Sequence, residues 1–190
     1  MVQLWRAFGD IVPLFIIIFL AMGFTTYFVI KKKNTNFKRV VVNNLFVISV
    51  IAILLVTVFP HSYGVAMPRV VNFVPFIGMY DIIFNSVDFT VPIRNLGFNI
   101  LLFIPFGFLL SLRRTFNKRI ILKVALMGLL LSFFIEIVQY IVPMGRAADI
   151  DDLILNTLGA YLGYLIWVFL NKKSTNILFK MTSEKTIERQ

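Results

Sequence analysis

Long apolar stretches alternate with short polar segments along this 190-residue chain. A helix rises ~1.5 Å per residue, so about 20 apolar residues cross the ~30 Å hydrocarbon core of a bilayer. The pattern therefore predicts an all-α fold, a polytopic membrane helical bundle of about five transmembrane helices. The third is the shortest, and it contains Pro105 and Gly107. The five predicted spans cover residues 11–30, 40–59, 96–112, 120–142 and 153–170.

The first apolar stretch resembles a retained anchor more than a cleavable leader. A signal peptide carries its positive charge before the apolar run and a small-residue cleavage site after it. Here Lys31, Lys32 and Lys33 follow the run directly. We therefore expect residues 11–30 to stay in the membrane as the first helix.

Composition excludes a soluble domain and several kinds of metal site. The chain is 59% hydrophobic with 21 Phe and only 15% charged residues, and its mean hydropathy is +0.87. It has no Cys, which excludes disulfides and thiolate ligands, and its one His is His61. His61 follows Pro60 at a span end, so we expect an interface residue there, with a ligand role as the alternative. Neither zinc nor haem is expected.

The net charge of +10 is distributed unevenly, and its distribution predicts orientation. Of 19 Lys and Arg, five fall in 31–39, five in 113–123 and five after residue 170. Because positive residues stay in the cytoplasm, these segments predict an outer amino terminus and a cytoplasmic carboxyl terminus. They are short and lack interleaved aromatic residues, so no nucleic-acid partner is expected. The other four cations are Arg6, Arg69, Arg94 and Arg146.

The organisation predicted is a single membrane domain, 1–170, followed by a polar, loosely ordered cytoplasmic tail, 171–190. The outer segment 60–95 contains four Pro yet stays apolar through Val70–Tyr80. Such a segment is too hydrophobic to extend into water. We expect it to lie in the outer interface or to fold back against the bundle.

Polar residues converge at the outer ends of the last three spans. Glu136 lies inside the fourth span, where an ionised carboxylate is costly and must face protein or water. Ser132 precedes it by four residues and Gln139 follows by three, on the same helix face. On the third span Asn95 and Asn99 are four apart, after Arg94.

The fifth span begins with an acidic segment and carries a polar, glycine-containing face. Asp152, Asn156, Gly159 and Gly163 follow at helical spacing, and the two glycines form a G-x-x-x-G pair that permits close helix packing. The segment before it contains Arg146, Asp149, Asp151 and Asp152. These positions predict a polar pocket opening to the outer leaflet.

Each of these residues also has a purely structural interpretation. Asn99, Gln139 and Asn156 could serve only as hydrogen bonds between helices. Asp149 and Asp152 could cap the fifth helix, where the helix dipole favours carboxylates. Arg146 could form an ordinary ion pair, and Glu136 could be a neutral structural carboxyl group.

Four sets of residues together resemble the VanZ-like family of bacterial membrane proteins, over about 40–170. They are Asn72-Phe73-Val74-Pro75-Phe76; Arg94-Asn95-x3-Asn99-x3-Phe103-Ile104-Pro105-Phe106-Gly107-Phe108; Glu136-x2-Gln139; and Gly145-Arg146-x2-Asp149-x-Asp151-Asp152-x3-Asn156-x2-Gly159-x3-Gly163. The resemblance implies a multi-pass protein of the bacterial cytoplasmic membrane. It also implies an association with teicoplanin resistance and a relationship to enzymes acting on lipid headgroups.

Two classes of function remain open. The first is an enzyme that transfers a phosphoryl or other headgroup on a membrane lipid or a lipid-linked cell-wall precursor. In it Glu136, Asp149 and Asp152 would be catalytic, and Asp149, Asp151 and Asp152 could hold Mg²⁺ or Mn²⁺ through oxygen ligands. The second is a non-catalytic module that binds a lipid or glycopeptide headgroup. The expected substrate-binding residues are Arg94, Asn95, Asn99, Gln139, Arg146 and Asn156.

Overall fold

A computed structural model shows a predominantly helical membrane protein, and it describes residues 11–32, 36–58, 71–88, 90–113, 120–142 and 148–187. Five helices are long and apolar enough to cross a bilayer, as predicted. We label them α1 (Ile11–Lys32), α2 (Phe37–Val58), α4 (Thr90–Leu112), α5 (Ile120–Ile141) and α6 (Ile150–Ile187). Between α2 and α4 lies a short helix, α3 (Ile77–Asn85).

Helix α4 begins six residues earlier than the predicted start at residue 96. An α-turn over Thr90–Pro92 leads into a π-helical turn over Ile93–Gly97, and the regular helix follows over Phe98–Leu112. Pro92 does not interrupt the helix because a proline in the first turn gives up no intrahelical hydrogen bond. The added turns give α4 23 residues, enough to cross the bilayer.

Helices α4 and α6 form the closest seam of the bundle, and glycines make it possible. A Cβ added at Gly159 would overlap the carbonyl oxygen of Ile100, and one at Gly163 would overlap that of Ile104. From the other side, a Cβ at Gly107 would overlap the carbonyl oxygen of Ala160. The backbones thus touch directly, which confirms the close approach predicted from the G-x-x-x-G pair.

The core lies around this seam. Its centre consists of Phe103 and Phe106 from α4, whose rings are 6.0 Å apart, and Ala160 from α6, which is fully buried. Helix α1 lies outside the core, and none of the residues in its membrane-spanning part is buried. It packs on α2, where the Asn44 side-chain amide donates a hydrogen bond to Thr26 Oγ1. The remaining buried core residues are Ile53, Leu110, Val124 and Ile135.

Residues 71–88, which we call the returning segment, fold back against the bundle, one of the two predicted alternatives. Strand β1 (Val71–Asn72) pairs in parallel with β2 (Ala148–Asp149), with Val71 opposite Ala148 and Asn72 opposite Asp149. Helix α3 follows and exposes large apolar side chains, including Tyr80 and Phe84. The pairing brings residues 77 positions apart to the start of α6, where the polar side chains are concentrated.

The two ends of the bundle differ in character. We call the end that contains Thr90, Ile141 and Ile150 the acidic end, and the opposite end, with Phe37, Arg113 and Asn171, the basic end. The acidic end corresponds to the predicted outer face, and this orientation stays a prediction. Beyond the basic end α6 continues as a helix to Ile187, whereas a loosely ordered tail was predicted for 171–190. Neither Gly nor Pro occurs after Gly163 to stop it.

Candidate functional site

Glu136 and Asp149, two of the predicted catalytic residues, lie together at the acidic end. The backbone N–H of Asp149 donates a hydrogen bond to Glu136 Oε2, at 2.8 Å. The Glu136 side chain is 8% exposed, so α5 carries this carboxyl group into the protein, as predicted, and away from lipid. The hydrogen bond fixes the start of α6 against α5. It also leaves the side chain of Asp149 available for other partners.

Asp149 is the N-cap of α6 and a partner of Asn72. Its Oδ1 accepts the backbone N–H of Asp151 at 2.9 Å, which satisfies one of the free donors at the helix start. Asn72 Nδ2 lies 3.3 Å from each carboxylate oxygen of Asp149. The parallel strand pair places these two side chains side by side. Asp149 therefore caps α6, as one of the structural interpretations predicted. Its carboxylate also contacts Asn72 of the returning segment.

Asp151 holds the returning segment in place. It is 2% exposed, and its two oxygens accept the backbone N–H groups of Phe76, at 2.7 Å, and Met79, at 3.0 Å. Phe76 has a left-handed backbone conformation with φ of 68°, which a bulky side chain rarely adopts. Such strain persists where surrounding contacts enforce it. Here the contact is a buried carboxylate that binds the first turn of α3.

The side chains of Asn99 and Asp152 are in contact between α4 and α6, which agrees with the similar membrane depth predicted for them. The side-chain amide of Asn99 donates a hydrogen bond to Asp152 Oδ1. One turn further into the membrane, Asn156 Nδ2 donates to Ser132 Oγ at 2.9 Å, which joins α6 to α5. Asn156 and Ser132 are almost fully buried. Both are hydrogen bonds between helices, as the purely structural interpretation of Asn99 and Asn156 predicted. They also hold the polar side chains of α6 toward α4 and α5.

Gln139 points toward a different helix. Its Nε2 donates to the carbonyl oxygen of Thr57 on α2, at 2.9 Å, and the side chain is 4% exposed. Gln139 Oε1 and Asn156 Oδ1 are buried, and neither accepts a hydrogen bond from any of the described residues. Because an unsatisfied buried acceptor is costly, these two atoms mark places where the acidic end can accept further donors.

Of the predicted cations, the structure describes only Arg94, and it lies near Asp88 at the start of α4. The Thr90 backbone N–H donates to Asp88 Oδ1 at 2.9 Å. This bond, then the Thr90 side chain and the charge of Arg94, hold the pKa of the exposed Asp88 below its ordinary value. Asn95, in the π-turn, is exposed. Neither Arg94 nor Asn95 has a described hydrogen bond to Glu136, Asp149 or Asp152. Arg146, His61 and Gly145 lie outside the described residues.

We call Glu136, Asp149, Asp151 and Asp152 the acidic cluster. An apolar groove runs between α5, α6 and β1, and two members of this cluster, Glu136 and Asp149, border it. It has a volume of about 450 Å³. Leu129, Leu130 and Phe133 of α5 form one wall, and Leu153 of α6 lies opposite. Glu136, Asp149 and Asn72 border the same groove, whose exposed surface is apolar. A hydrocarbon chain matches these walls, and a polar group on the same ligand would lie beside the carboxyl groups at their border.

The described residues do not form a metal centre. No group of three His, Cys, Asp or Glu side chains among them is arranged to hold a metal ion. Asp151 is occupied by two backbone N–H groups and Asp152 accepts the amide of Asn99. The Mg²⁺ or Mn²⁺ site considered for Asp149, Asp151 and Asp152 stays a prediction.

Two residues at the site were not among the predicted site residues. Asn72 belongs to a motif of the family resemblance, but nothing in its local sequence pointed to Asp149. Gly78 was not predicted to belong to the site. A Cβ at this residue would lie 3.1 Å from Asn72 Nδ2, 3.2 Å from Asp151 Oδ2 and 3.3 Å from Asp149 Oδ2. A side chain at residue 78 would press on all three polar groups. The small residue lets α3 lie over the cluster.

Comparison with known proteins agrees with this architecture. The family model VanZ/LLP1 matches residues 46–171, which include α4, α5, both strands and the membrane part of α6. Protein VanZ of Enterococcus faecium is 38% identical over 90 residues, a match that covers 46% of this chain and 54% of that protein. The match thus spans about half the length of that relative. No solved structure matches the chain. On the extent of the family match, this multi-pass membrane protein belongs to the VanZ/LLP1 family.

Proposed function

We propose that this protein binds a membrane lipid or a lipid-linked cell-wall precursor at its acidic end and modifies the polar headgroup. The observation that carries the proposal is the apolar groove that Glu136 and Asp149 border. A hydrocarbon chain would lie against Leu130, Phe133 and Leu153. The headgroup would then meet the buried carboxyl group of Glu136.

Glu136 is the residue best placed to move a proton. In a phosphoryl or headgroup transfer, an acceptor hydroxyl forms the new P–O bond while the P–O bond to the leaving group breaks. A carboxylate at this position can take the proton of the hydroxyl and deliver it to the leaving oxygen. Two carboxylates beside a phosphate repel it, so a cation is needed. Arg146, three residues before Asp149, is the residue that we propose for this role.

A second function, non-catalytic binding, is favoured by the hydrogen bonding of the aspartates. Asp149 caps α6 and accepts Asn72, Asp151 holds α3, and Asp152 accepts Asn99. Carboxylates engaged in this way build a rigid receptor without taking part in a reaction. In this case the protein would hold a lipid or glycopeptide headgroup and change access to the cell wall.

For either function, we propose that the ligand in the groove influences susceptibility to the glycopeptide teicoplanin. The relative called Protein VanZ and the family membership support this direction. The groove supplies a physical link, because lipid-linked precursors of the cell wall and membrane lipids have hydrocarbon chains that match its walls.

The test compares a deletion strain with strains that carry the wild type or single variants. Lipids, cell-wall precursors and teicoplanin susceptibility are measured in each. Leu130→Trp fills the groove, whereas Leu126→Trp is the matched control: the two leucines are 52% and 49% exposed on the same helix, and only Leu130 lines the groove. We expect Leu130→Trp to reproduce the deletion and Leu126→Trp to behave as the wild type.

Glu136→Gln separates the two functions. If the headgroup is modified, Glu136→Gln should abolish the product while the lipid still binds to the purified protein. If the protein only binds, Glu136→Gln should retain the phenotype that Leu130→Trp loses. Should Leu130→Trp match the wild type in every measurement, the groove is not the site and the proposal fails.

A further inference from the structure

A second cavity opens at the basic end, on the opposite side of the bundle from the groove. It has a volume of about 670 Å³ and is bordered by α2, α4, α5 and α6. Lys38 and Arg39 contribute from the first turn of α2, and Arg113 contributes from the residue that follows α4. We call this cavity the basic cleft. It contains none of the residues considered for the acidic end.

Among the described residues that line the basic cleft, three are cations and none is Asp or Glu. No described lining residue therefore compensates the charge of the cleft. The carboxamides of Asn43 and Asn171 line the same space and can donate further hydrogen bonds. A concave surface with one sign of charge attracts the opposite charge and concentrates it. The basic cleft therefore has the electrostatic character of an anion site.

Arg113 is positioned by the hydrophobic core. Its guanidinium carbon lies 4.5 Å from the centre of the Phe46 ring, a distance typical of a cation–π contact. The Phe46 ring in turn packs 5.4 Å from that of Phe106 in the core. The contact restrains the guanidinium at the mouth of the basic cleft. A restrained planar donor loses less entropy than a freely moving one when it binds an anion.

The apolar residues of the basic cleft and its position along the membrane-spanning helices indicate which kind of anion it binds. Phe46, Leu110 and Trp167 give it an apolar base beneath the cations. Its cations lie where α2 begins and α4 ends, which is the level at which lipid phosphates meet a membrane-spanning helix. We propose that the basic cleft binds the phosphate of an anionic phospholipid from the leaflet at this end. The glycerol and upper acyl chain would rest on the apolar floor.

Orientation alone does not account for this arrangement. The positive-inside rule requires cations near the span ends but no particular place for them. Lys123, in the first turn of α5, satisfies the rule equally: it is exposed and does not line the basic cleft. It is therefore the matched control for a charge that lines the cleft. This proposal is also independent of the proposed function, which concerns the other end.

The test uses the purified full chain in detergent and native mass spectrometry of bound lipid. Phosphatidylglycerol is the anionic probe and phosphatidylcholine the neutral one, and inorganic phosphate is added as a competitor. A juxtamembrane cation contributes ~1 kcal/mol to anionic lipid binding, equivalent to about a fivefold change in affinity. We expect Arg113→Gln to weaken phosphatidylglycerol binding by about this factor, and Lys123→Gln to leave it unchanged. Inorganic phosphate should not compete.

Lys38→Gln provides a second variant should Arg113→Gln fail to fold, because Lys38 is exposed and lies at the cleft mouth. It should also weaken phosphatidylglycerol binding about fivefold. Equal weakening by Lys123→Gln would overturn the proposal, because it indicates diffuse attraction to the charged surface. Equal binding of phosphatidylglycerol and phosphatidylcholine would also overturn it. So would displacement of phosphatidylglycerol by inorganic phosphate, which indicates that the ligand is a free anion.

Discussion

The acidic and basic ends both carry polar residues but hold them in opposite ways. At the acidic end Glu136, Asp151 and Asn156 are all at least nine-tenths buried, and hydrogen bonds between different elements fix them. At the basic end Lys38, Arg39 and Arg113 are exposed around an open cleft. One end is assembled from the protein's own donors and acceptors. The other presents charge to the surroundings.

The difference follows from where each residue sits relative to the membrane. A polar group within a span has no water to bind, so it must find a partner on another element or raise the cost of folding. A long cation at a span end reaches the headgroup region with its own side chain. We therefore expect single substitutions at the acidic end to lower the stability of the protein. Substitutions at the basic end should leave stability largely unchanged but alter which lipids bind.

The sharpest test of the comparison is which side of the membrane each end faces. The chain has no Cys, so a single introduced cysteine gives the only label. Cysteine at Ala147 should react with a membrane-impermeant reagent from outside intact cells, and cysteine at Asn117 should react only after lysis. The reverse pattern would place the acidic end in the cytoplasm and exclude an outer-leaflet ligand.

Removing the carboxylate of Asp151 should have the largest effect on stability. Asp151→Ala deletes two hydrogen bonds from backbone N–H groups to a buried carboxylate, and we expect the free energy of unfolding in detergent to fall by about 3 kcal/mol. Asp81→Ala is the control, since Asp81 is exposed on α3 and accepts only the side chain of Asn85. Its effect should stay within about 0.5 kcal/mol. Equal losses would mean that Asp151 does not hold the returning segment.

A methyl group in the seam between α4 and α6 should be the next most damaging change. Gly159→Ala would force the two backbones apart near Ile100, and overpacking of this kind costs about 1–3 kcal/mol. The control is Gly23→Ala, because nothing lies within 4 Å of a Cβ at Gly23. Thermal unfolding in detergent should separate the two variants. A neutral Gly159→Ala would show that the acidic end does not depend on close contact of these helices.

The left-handed conformation of Phe76 predicts a smaller effect. Phe76→Gly and Phe76→Ala both remove a mostly exposed ring, but only glycine adopts a φ of 68° without strain. The glycine variant should therefore be more stable than the alanine variant by about 1 kcal/mol. A comparison of their unfolding free energies gives the answer, and equal values would contradict the conformation at the start of α3.

Local sequence patterns predicted the parts of this fold that depend on local physics. The length of the apolar stretches predicted the five spans, and the spacing of Gly159 and Gly163 predicted the face of α6 that another helix approaches closely. The depth of Glu136 predicted that it faces protein or water and not lipid, and its side chain is buried. Each of these inferences uses residues within one helix, where the period is known in advance.

The parts that were missed depend on contacts between distant segments. The strand pair of Asn72 with Asp149 contains only two residues on each side and has no detectable alternation. The bonds from Asp151 to the first turn of α3 were not predicted, because they depend on the returning segment folding back onto α6. Neither contact has a local signature in the sequence.

The most direct test of the account is to identify the lipid that occupies the groove. A photoreactive amino acid replaces either Phe133, which lines the groove, or its neighbour Phe134, which does not; the two are 54% and 55% exposed. Adducts formed in living cells are then identified by mass spectrometry. The account predicts one enriched headgroup class at residue 133, reduced by Leu130→Trp, and the bulk lipid composition at residue 134. The same composition at both positions would contradict it.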